Sequence, residues 1–300
     1  MPLLRTEAEK LSNNQLISGV IEEILDTDEM LALLPFVQVS GKAYVYNREN
    51  GLPSADFLDP NETINESAAT FTEVTARLKI LAGDVDVDKF LATTMADTND
   101  QVAIQIAAKA KAVARKFAQT VANGNSVVDA KAFDGLPRLV SVSQEISAGA
   151  NGAAVALSML DELKDMIPLK ADAFVMRKGT WRAIKQLMRA HGGNTAEMTQ
   201  LENFGRPVPA FDGIPVLLND FLAADEAQGT NDKTCSIYAV RFNESDGLFG
   251  LYGGPNAGMV VENIGTVQNK DASRIRVKWY CGLALGSTKS LARIKGVTNI

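Results

Sequence analysis

The residue types that most often carry acid–base and metal chemistry are scarce in this chain. Among 300 residues there is one histidine, His191, and there are two cysteines, Cys235 and Cys281. A catalytic triad needs an imidazole held between a carboxylate and a nucleophile, and no Gly-x-Ser-x-Gly motif supplies that nucleophile. Two cysteines and one histidine are also too few ligands for a zinc site. His191 follows a predicted helix, where a cation is favourable anyway, and receives no catalytic role.

Three alternating carboxylates, Asp84, Asp86 and Asp88, form the best candidate for a cation site. An EF-hand loop would need Gly at its sixth position and Glu at its twelfth, but Lys89 and Met95 stand there. We therefore expect a solvated strand face and no metal, with cation binding as the open alternative. The chain also lacks a GxxxxGK[ST] loop and a GxGxxG fingerprint, so we expect no cofactor. Carboxylates distant in sequence could still converge as a hydrolase site.

Composition excludes several classes of protein. Hydrophobic residues make up 46% and charged residues 22% of the chain, which is typical of a globular protein. A net charge of -6 argues against a strong nucleic-acid binder. No apolar run approaches the length of a transmembrane helix, and residues 1–10 lack the apolar region of a secretory signal. The few cysteines fit a reducing compartment.

The first third of the chain predicts a helix followed by a hairpin. Apolar residues recur every three or four positions from Ser12 to Leu34, with an acidic opposite side. Strand character follows in residues 36–48 and 71–81, where Val74, Ala76, Leu78 and Ile80 are expected on one face. The polar connection 49–70 is too long for a compact domain, which favours contacts with a partner.

The strongest helical pattern runs from Asn99 to Ala122. Thr98 and Gln101 form a capping box, and Asn123-Gly124 predicts a left-handed stop. At 1.5 Å per residue the helix would be ~36 Å long, enough to span the molecule. Basic residues crowd its second half and could meet an acidic helix of a neighbouring subunit.

The rest of the chain predicts mixed α/β structure followed by antiparallel strands. The predicted elements are a turn at 134–137, a helix at 158–167 that Ser158 caps, a strand at 173–176, a helix from Thr180 to about Arg189, a turn at 211–216, and strands at 237–242, 247–252, 259–263 and 275–285.

This order of elements resembles the major capsid proteins of tailed bacteriophages, which share the Hong Kong 97 capsid fold. The turn Gly213-Ile214-Pro215-Val216 before Asn219-Asp220 and the turn Gly135-Leu136-Pro137 after the long helix carry most of the resemblance. It covers nearly the whole chain.

The resemblance implies an α+β fold with four parts. They are an N-arm (1–35), an extended E-loop β-hairpin (36–82), a P-domain with a long spine helix at 99–122 (83–135 and 243–280), and a mixed α/β A-domain (136–242 and 281–300). It further implies a non-enzymatic protein that self-assembles into pentamers and hexamers of an icosahedral shell. The shell would enclose double-stranded DNA without tight binding, outside any membrane, in a virion capsid assembled in the host cytoplasm.

Other partners follow from the resemblance as expectations. The N-terminal scaffolding segment of some family members has no counterpart in this sequence, so a separate scaffolding protein is expected, with a portal and decoration proteins as further partners. An encapsulin-type nanocompartment enclosing a cargo enzyme is the nearest alternative, and a carboxylate-dependent hydrolase is the remote one. The residues expected at contacts between subunits are Glu22, Glu23, Asp26, Glu49, Asn50, Gly51, Asp59, Arg77, Lys79, Lys109 and Arg115.

Overall fold

The structure, a computed structural model, describes residues 29–60, 62–94, 101–190, 198–200, 207–254 and 258–299. The strands in these ranges are β1 (Phe36–Val39), β2 (Ala43–Gly51), β3 (Thr70–Arg77), β4 (Lys79–Asp88), β5 (Glu145–Ser147), β6 (Ala173–Met176), β7 (Met198–Gln200), β8 (Pro207–Phe211), β9 (Ile214–Leu218), β10 (Glu226–Gln228), β11 (Asn231–Val240), β12 (Leu248–Gly253), β13 (Val260–Thr266), β14 (Ala272–Leu285) and β15 (Leu291–Val297). The α-helices are α1 (Lys89–Thr94), α2 (Gln101–Asn123), α3 (Leu136–Leu139), α4 (Leu157–Asp165) and α5 (Lys178–Ala190), and short 3-10 turns lie at Met30–Ala32, Val142–Gln144 and Thr288–Ser290.

A five-stranded sheet is built around the long strand β14. Its order is β1-β12-β14-β13, and β4 also pairs with β14. Ile275 and Val277 of β14 are buried while Arg274 and Arg276 alternate with them on the other face. This period of two is the pattern of a sheet that buries one face only, here against α2.

An eight-stranded sheet has the order β5-β15-β11-β6-β9-β8-β7, with β10 paired to β11. Its central strand β6 is buried at all four positions and runs parallel to β9. Such a strand is covered on both faces and therefore carries an uninterrupted apolar run. The two-residue turn at Asp212 and Gly213, both with positive φ, joins β8 to β9 and confirms the predicted turn.

One hydrophobic core joins the two sheets. Phe117 and Val121 of α2 lie in it with Cys281 of β14 and Tyr238 of β11, and none of these is more than 1% exposed. Met30, fully buried, belongs to the same core, so the chain is anchored there before β1 begins. The predicted long helix is thus confirmed through its buried stripe, and it ends one residue later than expected.

A second core lies on the opposite face of the eight-stranded sheet. Helices α4 and α5 cover this face, with Leu160 and Leu163 of α4 and Trp181 and Ile184 of α5 buried in it. The predicted cap of α4 is wrong: the residue before the helix is Ala156, and no side chain caps it. Ser158 lies instead inside the first turn and is exposed.

The end of α2 is also different from the prediction. Gly124 does not adopt a positive φ, so the helix has no left-handed stop. A glycine is required here because an added Cβ would lie 2.4 Å from the carbonyl oxygens of Thr120 and Phe133. The Gly135 amide donates a 2.9 Å hydrogen bond to the Gly124 carbonyl, which closes the segment back on the helix. The predicted turn at 134–137 leads directly into α3.

Both predicted strands of the first third are divided in two. Gly41 lies between β1 and β2 and has a φ of 117°. A residue with a side chain rarely adopts that conformation, so the glycine allows the chain to leave the strand there. Leu78 separates β3 from β4, and β4 joins the five-stranded sheet. Ile80 is therefore 75% exposed, which contradicts its predicted position on the inner face with Val74 and Ala76.

Several predictions fall outside the described residues. They are the amphipathic helix before residue 29, the capping residue Thr98 and the single histidine His191. No helix in the described ranges combines the length and the hydropathy that a membrane span requires.

Candidate functional site

The hairpin formed by β2 and β3 (residues 43–77) is a two-stranded sheet separate from the other two. Its register runs from Ala43 opposite Arg77 to Gly51 opposite Thr70, with a bulge next to Gly51. Nine residues of strand extend over ~30 Å. An isolated hairpin of this kind is at best marginally stable, so contacts with the body of the subunit must hold it.

The base of the hairpin is held by aromatic packing. The ring of Tyr44 meets Phe249 of β12 edge to face at 5.7 Å between centroids. Tyr46 lies 5.6 Å from Tyr44 on the same side of β2. Together with Ala76 and Leu78 they cover a small core formed by β1, β12 and β14.

Hydrogen bonds to the end of β14 complete the attachment. The Tyr46 hydroxyl donates to the Leu285 carbonyl at 2.5 Å, and Arg48 Nε donates to the Gly286 carbonyl at 2.7 Å. Arg48 Nη2 donates to the Leu285 carbonyl as well, at 2.5 Å. Burial raises the pKa of Tyr46, and the neighbouring Arg48 opposes that shift. Both residues contact their own subunit, and their partners lie more than 230 positions away in sequence, so no local pattern predicts these contacts.

Beyond the strands, the hairpin tip (residues 52–60 and 62–69) has no regular structure and presents apolar side chains to solvent. Phe57 is fully exposed, Leu52 is 78% exposed and Ile64 is 77% exposed. The hydrogen bonds of the described tip residues connect them to one another, such as the 3.1 Å hydrogen bond from Ser67 Oγ to the Ser54 carbonyl. Large apolar side chains grouped on one projection are typical of an interaction surface. Because the segment is polar overall, these apolar side chains were not predicted as contact residues from the sequence.

Five of the predicted contact residues lie on this hairpin, and the structure brings four of them to its outer half and tip. Glu49, Asn50 and Gly51 end β2, where the Asn50 amide donates to the Thr72 hydroxyl. Asp59 lies in a turn closed by a 3.1 Å hydrogen bond from the Glu62 amide to its carbonyl. Arg77 lies apart from them at the base of the hairpin, opposite Ala43.

The remaining predicted contact residues lie on the body or outside the described ranges. Lys79 Nζ donates to the Ala130 carbonyl at 2.6 Å. The stem of Lys109 crosses Gly83, because a Cβ added there would lie 3.0 Å from its Cδ. Arg115 lies partly buried on α2. Glu22, Glu23 and Asp26 are outside the described residues.

The three alternating aspartates are all engaged within the subunit. Asp86 and Asp84 each accept two hydrogen bonds, at 2.6–2.8 Å, from the arginines directly opposite on β14, Arg274 and Arg276. Asp88 lies directly before α1 and accepts a 2.8 Å hydrogen bond from the Phe90 amide in the first turn of that helix. Among the described residues no group of three histidines, cysteines or acids is placed to hold a metal ion.

These pairs also make Asp84 and Asp86 unsuitable as general acids. The arginine hydrogen bonds hold the pKa of Asp84 and of Asp86 below the usual range. A general acid needs the opposite shift. Burial raises the pKa of Cys281 to about 12 and also raises that of Cys235, so neither thiol is an activated nucleophile.

We expect Asp86→Asn to lower the stability of the subunit by ~1 kcal/mol or less at pH 7, because the pair is partly exposed. The carboxylate has a lowered folded-state pKa, so its contribution is present above pH ~4 and is lost as the pH falls through that lower value. Urea unfolding midpoints of wild type and variant should therefore converge as the pH falls through that lowered pKa. Asp232→Asn, at an exposed aspartate, serves as the control. A difference that persists at low pH would contradict the assignment.

The fold matches solved shell structures along nearly its full length. A holo-SrpI encapsulin complex from Synechococcus elongatus PCC 7942 matches with a TM-score of 0.75 at 20% identity, covering 99% of this chain and 96% of that one. The capsid of an empty GTA particle matches with a TM-score of 0.74 at 16% identity, covering 96% of both chains. A Mycobacterium phage Adephagia structure matches with a TM-score of 0.65 at 15% identity, covering 98% of both.

The sequence itself matches a family model. No curated protein matches it significantly. The model of the phage capsid family matches residues 10–242, which is most of the chain. These residues include the hairpin, α2 and the greater part of the eight-stranded sheet, so the Hong Kong 97-like capsid fold predicted from the order of elements is confirmed. The chain belongs to the phage capsid family and is a structural shell protein.

Proposed function

We propose that the protein is a major capsid protein whose copies form the pentamers and hexamers of an icosahedral shell around double-stranded DNA. The observation that carries this proposal is the hairpin tip, which holds Leu52, Phe57 and Ile64 in solvent, outside the three hydrophobic cores of its own subunit. Exposing such side chains in a monomer is unfavourable, and covering them with a second copy recovers that free energy. If the tip of each copy is covered by one neighbour, and each copy in turn covers the tip of another, the copies form a continuous surface.

In our proposal, each part of the subunit has its own role in the shell. Residues 1–35 act as an N-arm and 36–82 as the E-loop that reaches a neighbour. Residues 83–135 with 243–280 form a P-domain around the spine helix α2, and residues 136–242 with 281–300 form an A-domain. Many weak contacts of this kind combine through multivalency, so no single interface has to be tight.

We expect the triple variant Leu52→Ser, Phe57→Ser, Ile64→Ser to remain folded and to lose assembly. The tip touches no core, so circular dichroism and the unfolding midpoint of the subunit should match wild type. Electron microscopy should show few or no shells. The control is Val128→Ser with Val142→Ser, which changes valines that are 83% and 86% exposed elsewhere on the body.

The outcomes separate the possible roles of the tip. Normal shells from the triple variant would contradict a role of the tip in assembly. Loss of folded signal would show that the tip belongs to the core of its own subunit. A wild-type protein that stays monomeric under all conditions, with or without a scaffolding protein, would contradict the proposed function itself.

The enclosed DNA is not tightly held in this proposal. A net charge of -6 gives the subunit no overall attraction to phosphate, and strong salt-dependent binding would hinder packing and release. Filter binding of capsomers to duplex DNA at low salt should give an affinity weaker than micromolar. Assembly in the host cytoplasm with a separate scaffolding protein, a portal and decoration proteins completes the proposal.

The likeness to an encapsulin complex supports a second candidate, a nanocompartment that encloses a cargo enzyme. Both candidates use the same shell contacts, so variants of the tip do not distinguish them. The contents of purified particles do. A packaged genome with tail proteins supports the capsid, and one co-purifying cargo protein supports the nanocompartment.

A further inference from the structure

Helix α5 carries a row of four basic residues on the side that faces away from the sheet. Lys178, Arg182, Lys185 and Arg189 follow one another at steps of four, three and four residues, and the helix contains no acid. This spacing places all four on one helical face. Thr180 lies on the opposite face and is buried.

Three of these four cations are unpaired within the described part of the chain. Lys178 binds Asp220 at 2.6 Å, at the start of the helix. Arg182 and Arg189 are exposed and Lys185 is partly exposed, and no described carboxylate forms an ion pair with any of them. These three residues, Arg182, Lys185 and Arg189, form the basic stripe.

Helix α4 carries the complementary charge. Asp161, Glu162 and Asp165 are exposed on its outer side and form an acidic stripe. The single cation of the helix, Lys164, is already paired with Asp212 on the turn between β8 and β9. Lys164 also attracts Asp161 and Asp165 electrostatically, but no described cation forms an ion pair with the acidic stripe, so the outer side of α4 stays net negative.

Both helices lie in one layer on the same face of the eight-stranded sheet, since Leu160 of α4 and Ile184 of α5 share its core. Each subunit therefore displays an acidic and a basic stripe that do not form ion pairs with each other. A second copy displays the same two stripes. Surfaces that carry both signs in this way are complementary to their own copies.

We propose that the basic stripe of α5 binds the acidic stripe of α4 on a second copy of this chain. The inference rests on the proposed self-assembly and names one contact within it. Each exposed pair contributes little, but opposite charges steer two copies into register, and the contact repeats throughout an assembly. A nucleic acid is the less suitable occupant because the acidic stripe in the same layer repels phosphate.

Charge reversal tests the pairing. The basic-stripe variant is Arg182→Glu, Lys185→Glu, Arg189→Glu, and the acidic-stripe variant is Asp161→Lys, Glu162→Lys, Asp165→Lys. The combined variant carries all six changes and restores both the net charge and the complementarity. The matched control reverses three exposed cations elsewhere: Lys131→Glu, Lys233→Glu and Lys289→Glu.

We expect each single-stripe variant to fold as wild type and to raise the protein concentration needed for assembly about tenfold or more. The combined variant should recover most of this loss, and the control should assemble as wild type. Light scattering follows assembly, and circular dichroism follows folding. Raising the salt concentration should weaken wild-type assembly and should weaken the single-stripe variants less.

Three results would overturn the pairing. One is normal assembly of both single-stripe variants at all salt concentrations. Another is no recovery in the combined variant although it is folded. The third is unchanged assembly with lost binding to duplex DNA, which would assign the basic stripe to nucleic acid. If wild type itself does not assemble, the proposed function is wrong, and this result is distinct from a failure of the pairing between the stripes.

Discussion

Replacing Phe117 by aspartate should cost about 5 kcal/mol or more and prevent the subunit from folding stably. The ring is fully buried where α2 crosses the junction of the two sheets. Its centroid lies 4.4 Å from that of Trp279, 5.4 Å from Phe133 and 6.1 Å from Phe36. Aspartate would leave a cavity among these rings and place an unpaired carboxylate in it. Denaturant unfolding and soluble yield measure the effect.

The matched control is Val128→Asp, which places the same carboxylate on a residue that is 83% exposed. It should leave the unfolding midpoint within experimental error, because surface substitutions rarely cost more than ~0.5 kcal/mol. Phe117→Leu should lie between the two, since it removes volume without adding charge. Normal stability of Phe117→Asp would mean that this face of α2 is not part of the core.

Arg293→Ala is expected to cost about 3–5 kcal/mol, because it removes one partner of a buried ionic network. The guanidinium donates to Glu226 at 2.9 Å, to Glu145 at 3.2 Å and to the Ser236 hydroxyl at 2.9 Å. The side chains of Arg293 and Glu145 are each 14% exposed. Without the arginine, Glu226 loses its ion-pair partner and keeps the hydrogen bond from the Ser236 hydroxyl, whereas Glu145 keeps its ion pair with Lys295.

A variant of the neighbouring cation distinguishes loss of this network from loss of a single ion pair. Lys295→Ala removes the more exposed partner of Glu145 and should cost ~1 kcal/mol or less. Equal losses for the two variants would contradict a network centred on Arg293.

The predictable parts of the fold are those in which local periodicity and burial agree. The apolar stripe through Val113 and Phe117 predicted α2, and the uninterrupted run at 173–176 predicted a buried strand. The boundaries were less predictable, because tertiary contacts decide them. Gly124 ends α2 through close contact with Phe133, and Gly41 divides a run that has strand character throughout.

The candidate site was predictable only in outline. The length and polarity of residues 49–70 predicted a segment that reaches a partner, and Glu49, Asn50 and Asp59 do lie on its outer half and tip. Contacts between distant positions left no signal in the sequence. The alternation of Asp84 and Asp86 suggested a cation site only because the opposing Arg276 and Arg274 lie about 190 positions away.

The core that joins the two sheets has a mechanical consequence. Phe117 of α2, Cys281 of β14 and Tyr238 of β11 belong to one close-packed cluster, and such interiors resist gradual deformation. We therefore expect the two sheets to move as one rigid unit across this junction. In the proposed icosahedral shell, neighbouring copies would meet at different dihedral angles at five-fold and six-fold positions. With such a rigid unit, the difference in curvature would fall at the contacts between copies.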